Sequence, residues 1–391
     1  MTIIVLIILA GISISLVIGN NGIMQKAVKG REDYTGAAIN EQMSLNKIED
    51  YIENESSELI SIEEAKQKGI LTEKTSVIDT NGNIIRVPQG FKIAADSGLN
   101  VTEGIVIEDN DIKTGIGNNR GNQYVWVPVG NGIKKNDGTT VDITLGRYAF
   151  ADGTNDKDTN GNVLAKGTST LKQDAVNYTQ EVEISYDNKR YKELATSRVG
   201  VASNGTDGLN TTALNLKGFV DSVKANGGYY IARYEASYGT DGKANSKVSN
   251  SYSGSNVEGK LWNNITQINA ATVSRNLYTG VNSDLINSYA WDTAIVYIQN
   301  FSGDTDYSRQ NSLNTSLANT GVNNDEKCKI NDMASNTMEW TTEYCTYTDS
   351  SHAYPCASSG GSYSSYYTYG RAYYYAEFSY DHVSFRCALY M

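Results

Sequence analysis

Residues 3–18, IIVLIILAGISISLVI, carry neither charge nor proline. A helix crossing a bilayer needs about 20 apolar residues, so this run alone is short for a span. A core helix of the same length would show a polar face, and none is present. A secretory h-region is the third reading, but only Met1 and Thr2 precede the run, leaving no basic n-region. Beyond it the pattern changes. Ala38, Leu45, Ile48 and Ile52 are separated mostly by charged residues, which predicts an amphipathic helix continuing from the apolar one, with a break at Gly19–Gly22. Ser61-Ile62-Glu63-Glu64 predicts a short helix stopped at Gly69. VIDTNGNIIRVP reads as a hairpin turning at Asn81-Gly82.

Strand-like runs come next, at EGIVIED (103–109) and NQYVWVPV (122–129). From Gly130 to Ala225, abundant Gly, Asn, Asp and Thr predict an insertion of turns and short strands. GGYYIARYEAS (227–237) reads as a strand, 264–277 and 288–299 as helices, and the rest as loops with late strands. The order suggests residues 1–57 as helix and stem, 58–83 as a connector containing the short helix and the start of the hairpin, and 84–391 as one α+β domain.

The 391 residues include 33 basic and 44 acidic side chains, a net charge of -11. Phosphate neutralisation needs a dense Lys/Arg surface, so nucleic acid is excluded as a partner. Tyr (28) far outnumbers Phe (6), and Gly (36) far outnumbers Pro (3), which favours strands, turns and amphipathic aromatics near the surface. Cys328, Cys345, Cys356 and Cys387 allow three pairings among which sequence does not choose. Export would favour disulfides, and the other reading is free, buried thiols. Lys26, Lys29 and Arg31 come after the apolar run, and the positive-inside rule alone would keep the C-terminal side of that run inside.

The apolar run with its stem (residues 2–55) resembles the N-terminal segment of type IV pilin-like proteins of Gram-positive bacteria, in which a Gly-[Ile/Phe]-Thr-Leu-type processing site precedes a stretch like TIIVLIILAG. Here that site and its basic flank are absent, so either the start lies upstream or processing is lost. The resemblance implies a C-terminal part held outside, anchored in the membrane through residues 3–18 or in a pilin-like assembly.

Further along, NDMASNTMEWTTEYC (331–345), SGGSYSS (359–365) and VSFRCALYM (383–391) form an ordered set. It resembles the formylglycine-generating, sulfatase-modifying-factor family. Asp332, Met333, Asn336, Glu339 and Trp340 match its first motif, Gly360, Gly361 and Ser362 its second, Phe385 and Arg386 its third. GGYYIARYEAS and SYAWDTAIVYIQ look like its early strand and helix. The likeness spans roughly residues 120–391 and implies a C-type-lectin-like fold with Trp340, Gly360, Gly361, Phe385 and Arg386 as scaffold. Ser335 and Ser359 depart from the usual Gly and Arg. The redox cysteine pair of the oxidase members is missing, since residues 362–386 hold no cysteine, and His352 and His382 are too few for a three-histidine iron site. No catalysis is therefore expected. The resemblance also implies a structural calcium near Asn336 and Glu339 at most, with no other cofactor. DKDTNGN (156–162) has calcium-loop offsets, but Gly167 stands where the bidentate Glu belongs, so an Asn-Gly turn is expected there.

Between Ser362 and His382 lie eight tyrosines among a restricted set of residue types. This resembles the variable proteins of diversity-generating retroelements, where adenines of AAC or AAT template codons are randomised. Their products include Tyr, Ser, Asp, His, Gly, Ala, Arg, Thr and Phe, and only Glu377 falls outside. The variable region then corresponds to about 360–386, bracketed by Gly360-Gly361 before and a fixed Phe385-Arg386 after. Tyr supplies large contact area at low rotamer cost, with Ser and Gly adaptable, as in antibody loops. The expected ligand contacts are Tyr363, Ser364, Ser365, Tyr366, Tyr367, Tyr369, Arg371, Tyr373, Tyr374, Tyr375, Phe378, Tyr380 and His382. Core packing of alternate tyrosines is the competing reading. The expectation is a surface-displayed, adhesin- or receptor-like protein of a Gram-positive bacterium, meeting a protein or glycan on another cell, host or phage. An oxidase and a structural minor pilin are the alternatives.

Overall fold

The computed structural model describes residues 59–112, 119–195, 199–201, 207–210, 215–252, 257–310, 316–322, 324–346, 356–360 and 367–391. The apolar run at 3–18, its stem, His352, Gly361, Tyr363, Ser364, Ser365 and Tyr366 lie outside the described residues. Among those described, no helix is long and apolar enough to cross a membrane. The fold is mixed α/β and mostly sheet.

Local chemistry sets the helices. In Ile62–Lys68 the Ser61 hydroxyl accepts from Glu64 N (3.1 Å), acidic Glu63 and Glu64 occupy the first turn, and Gly69 (φ 69°) ends it. Gln267–Ser274 is shorter than the predicted 264–277, because capping begins at Thr266 and Arg275 is already extended. Ser288–Phe301 runs two residues past its predicted end, capped by Asn287, whose side chain accepts from Ala290 N (3.0 Å). Both its faces are buried, Asn300 aside, so it is a central helix rather than a surface one. Leu216–Asn226 stands inside the stretch expected to hold only turns and short strands. Leu216, Phe219, Val220 and Val223 bury one face, Asn215 caps the start, and Gly227 (φ 74°) closes the end.

One six-stranded antiparallel sheet has the order Asn282–Leu285, Cys387–Tyr390, Gly228–Ala232, Gln123–Pro128, Val106–Glu108, Lys92–Ile93. A second runs Ile184–Tyr186, Lys189–Lys192, Met338–Cys345, Cys356–Ser359, Arg371–Tyr374, with Val383–Phe385 lying parallel to Met338–Cys345. The predicted connector is no separate piece. Leu59–Ser61 pairs in parallel with Thr75–Ile78, which pairs with Ile84–Val87, and Ile60, Val77 and Ile85 are buried in the main core. A boundary at 84 would cut this hairpin, and Leu59–Met391 form one compact unit. The two DTNGN stretches make matching turns: Asp79 and Asp158 each accept from the backbone N–H groups two and four residues on.

The tyrosines depart from the surface expectation. Tyr124, Tyr191, Tyr229, Tyr230, Tyr289, Tyr297 and Tyr307 are fully buried. Most hydroxyls find an oxygen: Tyr230 donates to Arg86 O (3.0 Å), Tyr297 to Val101 O (2.6 Å), Tyr307 to Asp325 (3.0 Å). A buried phenol is tolerated once its hydroxyl is paired.

The motif residues hold the two sheets together. Arg386 is fully buried, its Nε donating to Glu339 (2.6 Å), Nη1 to Ala232 O (3.1 Å) and Nη2 to Asn331 O (2.9 Å). Glu339 belongs to the second sheet and Ala232 to the first. Trp340 donates to Ile265 O (2.9 Å). Gly360 (φ 103°) lies so close to Trp291 that an added Cβ would stand 3.0 Å from its ring. Asn336 donates to Glu235 and accepts from Ala318 N, while Glu339 is held by Arg386, so these residues do not fit the calcium implied for them. Exchanging Arg386→Met leaves a buried carboxylate without its cation. Urea unfolding is expected to report a loss of about 3–5 kcal/mol.

Candidate functional site

The Tyr-rich segment is fastened from beneath. Thr368 N donates to Gln310 O (3.2 Å) and Tyr369 N to Ser308 O (3.2 Å). The Trp291 indole donates to Thr368 O (3.3 Å). Arg371, expected to meet ligand, points inward instead and is buried. Its Nε donates to Glu343 (2.8 Å) and its Nη2 to Asp292 (2.7 Å). Glu343 also pairs with buried Arg147, which donates to Tyr191 O (3.0 Å), and the Tyr191 hydroxyl donates to Arg371 O (3.2 Å). Burial opposes these charges, but mutual pairing outweighs it: the Arg371 pKa is raised and that of Glu343 lowered.

Above this floor the segment divides in two. Tyr367 and Tyr369 stack (centroids 5.8 Å), and the Arg309 guanidinium lies over both, 4.3 Å from the Tyr369 centroid and 5.6 Å from that of Tyr367. Tyr369 also meets Tyr186 edge-on at 5.2 Å and Phe150 at 5.8 Å. Further on, Tyr374 packs against Tyr380 (4.5 Å) and His382 (5.6 Å), and both tyrosines reach Trp340. A hydrogen bond joins Tyr374 Oη to His382 Nε2 (3.1 Å). Tyr375 meets Phe378 edge-on at 5.8 Å. Among the expected contacts that are described, Tyr367 (38% exposed), Tyr373 (39%) and Phe378 (47%) are the exposed ones. Tyr369, Tyr374, Tyr375, Tyr380 and His382 are half-buried, as is Glu377.

Residues not anticipated from the sequence complete the site. The strands Ile184–Tyr186 and Lys189–Lys192 turn through Asp187 and Asn188, both at positive φ, a two-residue hairpin. This hairpin brings Tyr186 to Tyr369 and Lys189 to within 5.3 Å of the Tyr373 centroid. Between hairpin and segment opens a cleft of about 370 Å³ lined by Tyr186, Asp187, Asp156, Arg309, Tyr369 and Arg371, among others. The Asp-Asn dipeptide between short alternating runs was a readable turn signal, whereas nothing local marks Arg309.

Three of the four thiols lie among the described side chains. Cys328 and Cys387 are free and buried, and Cys345 is buried as well. Burial pushes Cys328 and Cys387 up to about 12, which keeps both protonated at neutral pH. Among the described residues no cluster of His, Cys, Asp or Glu is arranged to hold a metal.

No protein-family model matches the chain, and no curated protein does. Among solved structures it is similar to the Major Tropism Determinant P3c Variant, at 13% identity over 85% of this chain and 98% of that one, with a TM-score of 0.27. It is likewise similar to the Major Tropism Determinant U1 Variant, at 13% identity over 83% and 97%, with a TM-score of 0.28. Superpositions this loose do not equate the folds.

Two outcomes are expected of the buried charges. Arg371→Met leaves Asp292 without its cation and Glu343 with Arg147 alone, and should lower stability by about 3–5 kcal/mol in chemical unfolding. Burial raises the Glu193 pKa to about 7 from an ordinary 4.5, against hydrogen bonds from Ser288 and Thr342. The native state therefore holds this proton longer than the unfolded chain. The contribution is complete below pH 4.5 and is lost as pH rises through about 7. Asp325, raised to about 6 chiefly by burial, acts in the same direction. Urea unfolding at about pH 5 and about pH 8 should find Glu193→Gln with a smaller fall than the native sequence.

Proposed function

We propose that this is a surface-displayed, ligand-binding protein, adhesin- or receptor-like, carrying its contact surface on a C-type-lectin-like scaffold. One observation carries the reading: Tyr367, Tyr373 and Phe378 project outward from backbone held by buried Arg371, Trp291 and main-chain bonds. Large rings on a pre-organised backbone lose little entropy on contact and make effective anchors. Diversification by a retroelement suits the exposed positions, where new side chains meet solvent or ligand, and does not suit Arg371, whose charge is tied to Glu343 and Asp292. The ligand on this reading is a protein or glycan of another cell, host or phage. Residues 3–18 would hold the protein at the membrane or in a pilin-like assembly.

An oxidase using Cys328 or Cys387 is disfavoured, because a thiol pushed to about 12 supplies almost no thiolate. The reading is tested with the labelled full chain on panels of intact bacterial cells, scored by flow cytometry. Combined Tyr367→Ala, Tyr373→Ala and Phe378→Ala changes should reduce binding by about tenfold or more with the melting temperature kept. Undiminished binding by a folded triple variant would sink it.

A further inference from the structure

We propose that the cleft between the Tyr186–Asp187 turn and Tyr369 binds a neutral pyranose sugar, an inference that rests on the ligand-binding reading of the segment above it. Its volume, about 370 Å³, is that of a small-molecule site rather than a flat protein contact. Tyr148, Phe150, Tyr186 and Tyr369 give it aromatic walls. Aromatic faces carry partial negative charge and accept the polarised C–H groups of a sugar ring.

The polar groups choose among ligand charges. The floor is neutralised, since Arg371 is paired with Glu343 and Asp292. Arg309 has Nε on Ala151 O (3.0 Å) and Nη2 on Phe150 O, with Asp156 3.8 Å away. Asp187, exposed at the turn, and Tyr186 line the cleft beside it. Ser185 adds a hydroxyl at the rim. An anion entering here meets Asp156 and Asp187, and a cation meets Arg309. A neutral polyol uses both kinds of group, because each hydroxyl can donate to a carboxylate and accept from a guanidinium. Closely spaced donors and acceptors beside an apolar wall are the complement of vicinal hydroxyls on a ring.

Saturation-transfer NMR on the full chain tests this with methyl glycosides of glucose, galactose, mannose and N-acetylglucosamine, beside methyl glucuronide as the anion and glucosamine as the cation. At least one neutral glycoside should receive saturation through its ring C–H protons and outcompete both charged sugars. Tyr186→Ala and Asp187→Asn should each weaken it by about tenfold or more. Asp187 is an exposed turn residue, so its variant decides the matter if Tyr186→Ala fails to fold. Absence of binding by every neutral glycoside, preference for a charged sugar, or affinity unchanged in a folded variant overturns the proposal. Loss of cell binding in the Tyr367/Tyr373/Phe378 variant with no sugar bound defeats this inference alone. Sugar binding that persists while that variant keeps full cell binding defeats the surface reading and leaves the cleft standing.

Discussion

A carboxylate removed from water is costly unless a cation or hydrogen-bond donors meet it, and the strand Met338–Cys345 carries two that arginines meet. Glu339 is held by Arg386, and Glu343 by both Arg147 and Arg371. Arg147 lies almost 200 residues before this strand and Arg371 and Arg386 follow it, so satisfying two side chains brings a distant segment and the C-terminal stretch to one strand. A well-packed apolar substitute could match such pairs in stability. What the pairs add is position, since a guanidinium hydrogen-bonds well only in a narrow geometry. Arg386 reaches beyond its carboxylate to Ala232 O and Asn331 O, and so joins one sheet to the other.

The surface at the C-terminus depends on this arrangement. Arg371 secures the start of an edge strand, and two residues on, along the same strand face, Tyr373 reaches solvent, while Ala372 and Tyr374 take the other face. Just before it, Trp291 and the Ser308–Gln310 turn hold Thr368 and Tyr369. The rings are thus sorted by where the backbone is tied. Tyr374 and Tyr380 lean onto Trp340 and His382 and pack against the buried cluster around Trp340 and Phe385, whereas Tyr367, Tyr373 and Phe378 stay exposed. One composition serves two environments because a tyrosine is apolar along its ring and polar at its tip. The same property fills the interior with phenols bonded to carbonyl and carboxylate oxygens.

Sequence reading succeeded where the determinant is local. Ser61 with Glu64 marked a helix start, Asn81-Gly82 a turn, and SYAWDTAIVYIQ a helix. It failed over Leu216–Asn226 although the apolar spacing was present, because glycine and asparagine dominate the surrounding window. It failed at the connector because Ile60 and Val77 reveal their role only once a sheet and core surround them. The candidate site was half legible. The Tyr-rich segment stood out by composition, while Tyr186, Asp187, Asp156 and Arg309 lie from about 60 to over 200 residues away in sequence and carry no common signal.

The sequence by itself determined caps, turns, the amphipathic periods, and the concentration of aromatic hydroxyls near the end, since each of these is settled by neighbours within a few residues. Only the tertiary structure decided that Arg371 is buried in an ion-pair network while Tyr373 along the same strand face stays exposed, that Glu339 meets an arginine, and that a hairpin near residue 187 closes one side of the cleft. Those outcomes depend on which buried charge finds which partner, and that pairing acts across distances in the chain that no local pattern encodes.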